Sequence, residues 1–224
     1  MRILLEREEV DPDKPDNNGQ TPLIHAAENI YAENGCDGVV KMLLGREEVN
    51  PDKSDRGGRT PLFYATKNGR AGVVKMLLGR EEVNPDKPNN YGQTPLSLAA
   101  ENGNEGVIKI LLERKEVNPN EPDNRGRTPL RYAALNGHEA VVKVLLGRQD
   151  VNPGKPDTRG RTPLSLAAGG GHEGVVKALL GREEVDPDRP DNHGRTPLSI
   201  AAKNRHKRVA ALLRSRKAVT HGMT

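Results

Sequence analysis

Apolar residues along this chain are sparse and regularly placed, and one stretch shows the pattern in full. Val141, Val142, Val144, Leu145 and Leu146 follow helical rather than alternating spacing, which predicts a helix over 140–146. Before it lies a shorter helix whose limits are set by single residues. Thr128 supplies a side-chain oxygen for the N-cap, Pro129 follows with no N–H to leave unsatisfied and a φ that is already helical, and Gly137 is free to take the left-handed conformation that ends the helix. Beyond the second helix, Gly147–Arg161 carries Val151, the turn formers Asn152, Pro153 and Gly154, and the turn Asp157–Gly160. It reads as an extended loop or hairpin.

This helix, turn, helix, hairpin pattern recurs. Thr-Pro-Leu begins at Thr21, Thr60, Thr94, Thr128, Thr162 and Thr196, 39 residues apart for the first pair and 34 thereafter, and a fixed period in this range means stacked supersecondary units. The units run 6–44, 45–78, 79–112, 113–146, 147–180 and 181–214, after a partial helix at 1–5 and before a tail at 215–224 that is expected to fray. Unit one alone carries extra residues, near Ile30–Asn34, which predict an extended first helix or an enlarged loop between its helices. The expected fold class is an all-α repeat solenoid.

The repeated residues resemble the ankyrin repeat over almost the whole chain. That family's signature is T-P-L-H-x-A with a period of 33 residues, and here Thr-Pro-Leu is followed three residues after the Leu by Ala-Ala or Ala-Thr. The resemblance implies a stack of helix-turn-helix pairs with β-hairpin loops. Two departures stand out. The family's His is replaced by Ile24, Phe63, Ser97, Arg131, Ser165 and Ser199, which removes the hydrogen bonds that His makes in the short helix. An extra residue falls in the loops Arg46–Asp52 and Arg80–Asp86, so the link from second helix to hairpin is expected to be longer or more helical than usual.

Composition changes this picture little. A hydrophobic fraction of 33%, no Trp and one Phe are low for a globule, but the periodic placement argues against disorder, and a solenoid needs only Leu, Ala and Val between its layers. The longest apolar runs, four or five residues, are far short of the roughly 20 that span a membrane. Met1–Arg7 is too short and too soon charged for a signal peptide and aligns instead with Lys41–Gly45. A single cysteine, Cys36, fits a reducing compartment, and a cytoplasmic location is expected. Where unit five has Glu173, Gly174, Val176 and Leu180, unit six has Lys207, Arg208, Ala210 and Arg214, the exchange a terminal cap requires. With a unit cut at its start and capped at its end, the chain is expected to be the C-terminal part of a longer protein or array, with an upstream domain. The near-identical units are similar to the ankyrin arrays that follow NACHT-type NTPase modules in fungal signalling proteins.

No catalytic constellation emerges. His138, His172 and His206 occupy one slot of the repeat, and repetition at the repeat period marks scaffold. No His has metal-ligand spacing with a Cys or carboxylate partner, so no metal is expected. Gly169-Gly170-Gly171 and Gly174 lack the Gly-Lys-Ser/Thr ending of a phosphate loop and predict a loosened helix end, and Ser97, Ser165 and Ser199 have no base near in sequence. Neither an enzyme activity nor a cofactor is expected.

What remains is surface. The resemblance implies that the concave groove is lined by the residues before and after the turn glycine and by the end of the short helix. Along the stack these give a row of guanidinium groups: Arg56, Arg59, Arg125, Arg127, Arg159, Arg161 and Arg195, with Arg131 and Tyr132 on the adjoining helix and Tyr91, Gln93 and His193 beside them. Arginine grips carboxylates bidentately, so the row suits an acidic or phosphorylated protein segment, with Tyr91 and Tyr132 as anchors. The repeated Glu47-Glu48, Glu81-Glu82 and Glu183-Glu184 lie at the far end of the second helix, a separation that the net charge of +4 hides. The leading function is a non-enzymatic protein-interaction scaffold. One alternative is nucleic-acid binding, which a pI near 9.2 permits but the lack of interleaved aromatics disfavours. The other is a structural array with no specific partner.

Overall fold

A computed structural model of the chain describes the backbone of residues 11–28 and 35–221, and the side chains of all of these except 35–36 and 217–221. The partial helix expected at 1–5 and the insertion near Ile30–Asn34 lie outside the described residues. Twelve helices are seen within them. The short ones are α1 (Pro22–Glu28), α3 (Pro61–Lys67), α5 (Pro95–Asn102), α7 (Pro129–Asn136), α9 (Pro163–Gly170) and α11 (Pro197–Lys203). Alternating with them are α2 (Gly35–Leu44), α4 (Ala71–Leu78), α6 (Glu105–Leu112), α8 (Glu139–Leu146), α10 (Glu173–Leu180) and α12 (Lys207–His221).

Each short helix touches the next short helix and its own partner, and each second helix touches the next, giving two layers of helices that share one stepwise core. Leu62, Leu96, Leu130 and Leu164 are fully or almost fully buried in that core. So are Val74, Ile108, Val142 and Val176 from the second helices. The chain is an all-α repeat solenoid.

The capping chemistry is as the sequence dictates. Thr60, Thr94, Thr128, Thr162 and Thr196 each accept a hydrogen bond on the side chain from the amide three residues on, with proline directly after the cap. At the other end Gly103, Gly137 and Gly171 close α5, α7 and α9 at φ 74°.

Each turn is held twice. Within it, the Gly126 amide donates to the Asp123 carbonyl at 2.9 Å; to the unit before, the Asn124 amide donates to the Tyr91 carbonyl at 3.1 Å. The same cross-unit bond joins Arg56 to Asn18, Asn90 to Gly57, Thr158 to Arg125 and Asn192 to Arg159. One such bond per boundary makes a ladder of turns, with no strand among the described residues.

Three expectations are refined. The link from second helix to turn is not helical: Arg80, Val83 and Lys87 each donate to the carbonyl three residues back, in three separate turns pinned by the buried Val83. Gly169 and Gly170 do not shorten α9, which has 8 residues like α5 and α7, because the Thr162 cap and the Gly171 stop fix both ends. The last helix runs through to His221, since no Gly or Pro interrupts the chain between Lys207 and Gly222.

Candidate functional site

The turn and short-helix face is built from paired charges. In four units the turn begins with Asp and the glycine is followed by Arg, and the two close on each other. Nε and Nη2 of Arg59 both lie 2.8 Å from Asp55 Oδ2. For Arg127 and Asp123 both distances are 2.6 Å, for Arg161 and Asp157 they are 2.9 and 2.8 Å, and for Arg195 and Asp191 they are 2.8 and 2.6 Å. The other carboxylate oxygen accepts two turn amides, as Asp123 Oδ1 does from Arg125 and Arg127 at 2.9 Å each. Four of the seven guanidiniums in the row read from sequence, Arg59, Arg127, Arg161 and Arg195, are therefore neutralised within their own turns. Unit three repeats the geometry without charge: Asn89 Nδ2 donates to Gln93 Oε1 at 3.2 Å.

These bonds shift the carboxyls. Burial pushes Asp55, Asp123 and Asp157 up, but the amide and guanidinium hydrogen bonds of the turn outweigh it and hold all three below the ordinary carboxylate value. At Asp191 the Arg195 guanidinium dominates and brings the carboxyl down to about 2.

Two tyrosines join this layer from below. Tyr64 donates to Asp55 Oδ2 at 2.9 Å and Tyr132 to Asp123 Oδ2 at 2.8 Å, while Arg59 and Arg127 stack over the rings at 5.3 and 5.0 Å. Burial, together with the carboxylate, raises the Tyr64 hydroxyl to about 12 and raises that of Tyr132 further. Tyr132 is 1% exposed and Arg131 3%, so both shape the face from within rather than line it. Arg131 Nη2 lies 3.2 Å from Asp157 Oδ2 in the next unit, on the same oxygen that Arg161 holds. Burial lowers the Arg131 guanidinium.

Six of the sequence-predicted residues do project: Arg56, Arg125, Arg159, His193 and Arg195 are exposed at the turn tips, and Tyr91 stands 70% exposed among them. No ion pair engages the side chains of Arg56, Arg125 or Arg159 among the described residues. Along the short helices the face is less polar than its turns. Leu135 is 39% exposed, and with Leu166 and Ile200 it floors a groove of about 630 Å³ beside Gly169, Gly170 and Lys203. Arginine spacing carries no trace of this groove; its signal in the sequence is the pair of glycines at the helix end.

The slot before each second helix belongs to the frame. Nε2 of His138, His172 and His206 donates to the carbonyls of Glu101, Leu135 and Gly169, each at 3.0 Å, closing the C-terminus of the previous short helix. Asn104 and Arg70 do the same toward Thr66 and Ala26. Where the sequence lacks the family's His, Ser97 and Ser165 turn back to the carbonyls of Thr94 and Thr162 at 2.8 and 2.9 Å. Among the described residues no group of three or more His, Cys, Asp or Glu is placed to hold a metal ion, and no helix is long and apolar enough to cross a membrane.

No curated protein sequence matches the chain. The family model for ankyrin repeats (3 copies) matches residues 1–89, 29–123, 73–157 and 148–221, and members of that family generally mediate protein–protein interaction. Those overlapping spans leave no unit uncovered, and with the capped helix pairs and the turn ladder they establish that this chain belongs to the ankyrin repeat family.

Proposed function

We propose that the chain is a non-enzymatic interaction module that binds an acidic protein segment on its turn and short-helix face, the face that is concave in the family. The observation that supports this is a division of labour between backbone and side chain. At each unit boundary one turn amide and one turn carbonyl are taken up by the ladder, whereas the side chains of Arg56, Tyr91, Arg125, Arg159 and His193 stay exposed and are not uniform along the stack. A constant frame that offers non-uniform, mostly cationic side chains is suited to recognition rather than to chemistry.

The test is a binding titration of the full chain against acidic and basic peptide arrays, repeated with Arg125→Glu and Arg159→Glu. Both residues are exposed and lie outside the Asp–Arg pairs, so the variants keep the fold. Preferential capture of acidic peptides, weakened by both variants, is the expected result. A duplex oligonucleotide run in parallel addresses nucleic-acid binding. Tight binding whose log K falls steeply with log[salt] would replace a protein partner with phosphate contacts.

A further inference from the structure

Helix α9 ends in Gly169 and Gly170, where α5 and α7 end in Glu101-Asn102 and Leu135-Asn136. The two missing side chains leave the groove of about 630 Å³ between α7, α9 and α11, a size typical of clefts that enclose a ligand, roughly 300–1,000 Å³. Its floor is aliphatic, from Leu135, Leu166 and Ile200. Its rim is cationic, from Arg161, Arg195 and Lys203, and no carboxylate lines it. Close neighbours surround both glycines: a Cβ on Gly169 would come within 3.2 Å of Ile200 Cγ2, and one on Gly170 would press on the His172 ring.

The charge around this groove is not balanced. Arg131 and Arg161 share the single carboxylate of Asp157, so one positive charge under the wall has no counterion of its own, and Arg131 Nε and Nη1 have no hydrogen-bond partner. Lys203 is exposed with no ion pair among the described residues. Arg195, by contrast, is matched by Asp191. An apolar floor with a surplus of positive charge selects against basic, purely polar and uncharged greasy ligands alike.

We propose that this groove is the docking site for an acidic peptide segment carrying one aliphatic or aromatic anchor. The anchor sits on Leu135, Leu166 and Ile200, and flanking carboxylates reach Lys203 and the solvent-facing edges of Arg161 and Arg195. The proposal rests on the protein-binding reading above and narrows it from a face to one groove and one class of segment.

Fluorescence anisotropy of the full chain with three labelled hexapeptides tests it. The first is Asp-Glu-Leu-Phe-Glu-Asp, the second has Gly-Ser in place of Leu-Phe, and the third has Asn and Gln in place of Asp and Glu. The expected result is at least about tenfold tighter binding of the first than of either control, roughly one hot-spot interaction. That preference is lost in Lys203→Glu and in Leu135→Ser, both exposed positions whose variants are checked for an unchanged helical spectrum, and kept in Arg56→Glu, far along the stack. Equal binding of the second peptide overturns the anchor. Binding that ignores Lys203→Glu and Leu135→Ser but falls in Arg56→Glu or Arg125→Glu overturns the groove and leaves the interaction module standing. Failure of all three peptides here, with acidic capture on the arrays, also overturns only the groove; failure on both overturns the two together.

Discussion

The Gln93 side-chain amide donates to the Tyr132 hydroxyl at 3.1 Å across a unit boundary, and the hydroxyl donates in turn to Asp123 Oδ2 at 2.8 Å. Gln20, Tyr64 and Asp55 form the same chain at 3.0 and 2.9 Å. Tyrosine stands at this helix position only in the two units that follow a glutamine. After Arg59, Arg127 and Arg161 the position is Leu98, Leu166 and Ile200. The physical reason is direction. An arginine closed bidentately on its own aspartate is held within its turn, whereas the glutamine amide also reaches the hydroxyl of the next unit.

Tyr132→Phe should therefore cost about 1–2 kcal/mol, because it leaves a buried carboxylate short of a donor as well as removing a bond. In a double-mutant cycle with Gln93→Ala, urea unfolding should give a coupling of about 0.5–1.5 kcal/mol. Strict additivity would show that the two side chains meet without interacting.

Asp157 carries two guanidiniums, and its loss should be felt far more than that of Asp191. Asp157→Asn strands Arg131 without a counterion in a site where its side chain is 4% exposed, and breaking a buried pair in this way costs about 3–5 kcal/mol. Replacing the buried ion itself should go the other way. Arg131→Met is expected to be neutral or stabilising by about 1–4 kcal/mol, since the methionine needs no desolvation of charge and Arg161 still holds the carboxylate. Thermal and urea unfolding of the two variants and of the double variant check this. A double variant no more stable than Asp157→Asn alone would place the cost elsewhere than on Arg131.

Acid should loosen the stack through the same carboxyls. Asp55, Asp123, Asp157 and Asp191 are held below their ordinary value in the fold, so their contribution is complete above the unfolded value of about 3.9 and is lost as pH falls through the folded values, about 2 at Asp191. Asp86 runs in the opposite sense. Burial raises it against the opposing Asn118 amide, Glu121 adds to the rise, and no lysine among the described residues relieves it as Lys87 does for Asp52. The urea midpoint should drop between pH 4 and pH 2, less steeply in Asp191→Asn. Asp86→Asn should raise the midpoint at pH 7, where the buried charge is lost, and leave it unchanged at pH 2, where the carboxyl is already neutral.

The frame was legible in the sequence because each of its parts is a local decision. Thr128-Pro129 starts a helix and Gly137 stops it whatever lies around them. The chemistry of the face was less legible because it depends on what the next unit covers. Arg131, two residues into a helix, reads as surface until Asp157 of the following unit closes over it. Arg127 reads as a free cation because a spacing of four signals pairing on a helix, and here the pair forms across a turn whose Asx hydrogen bonds bring Asp123 back to it. Gly169-Gly170 reads as weakness in a helix, whereas its effect lies in the close approach of Ile200 and in the lining of the groove.

Arg205 shows the same dependence in reverse. In units three to five a left-handed glycine ends the short helix, and a Cβ there would meet the histidine of the next unit: Gly103 against His138, Gly137 against His172 and Gly171 against His206, at 2.7, 2.5 and 2.5 Å from Nδ1. In unit six the corresponding residue is Arg205, at φ 63° and exposed, with no ring from a later unit against it in the described residues. Only the backbone cost remains there, roughly 1–2 kcal/mol for a side chain in this conformation, offset by about 0.5–1 kcal/mol because glycine has more unfolded freedom to lose. Arg205→Gly should therefore stabilise the chain by up to about 1 kcal/mol. Gly171→Ala meets both the backbone strain and the His206 ring and should destabilise by about 2–3 kcal/mol, with hydrogen exchange increasing first in α11 and α12, the two helices that His206 ties to α9. Equal and small effects from the two substitutions would mean that the ring yields freely, and that the glycines answer to φ alone.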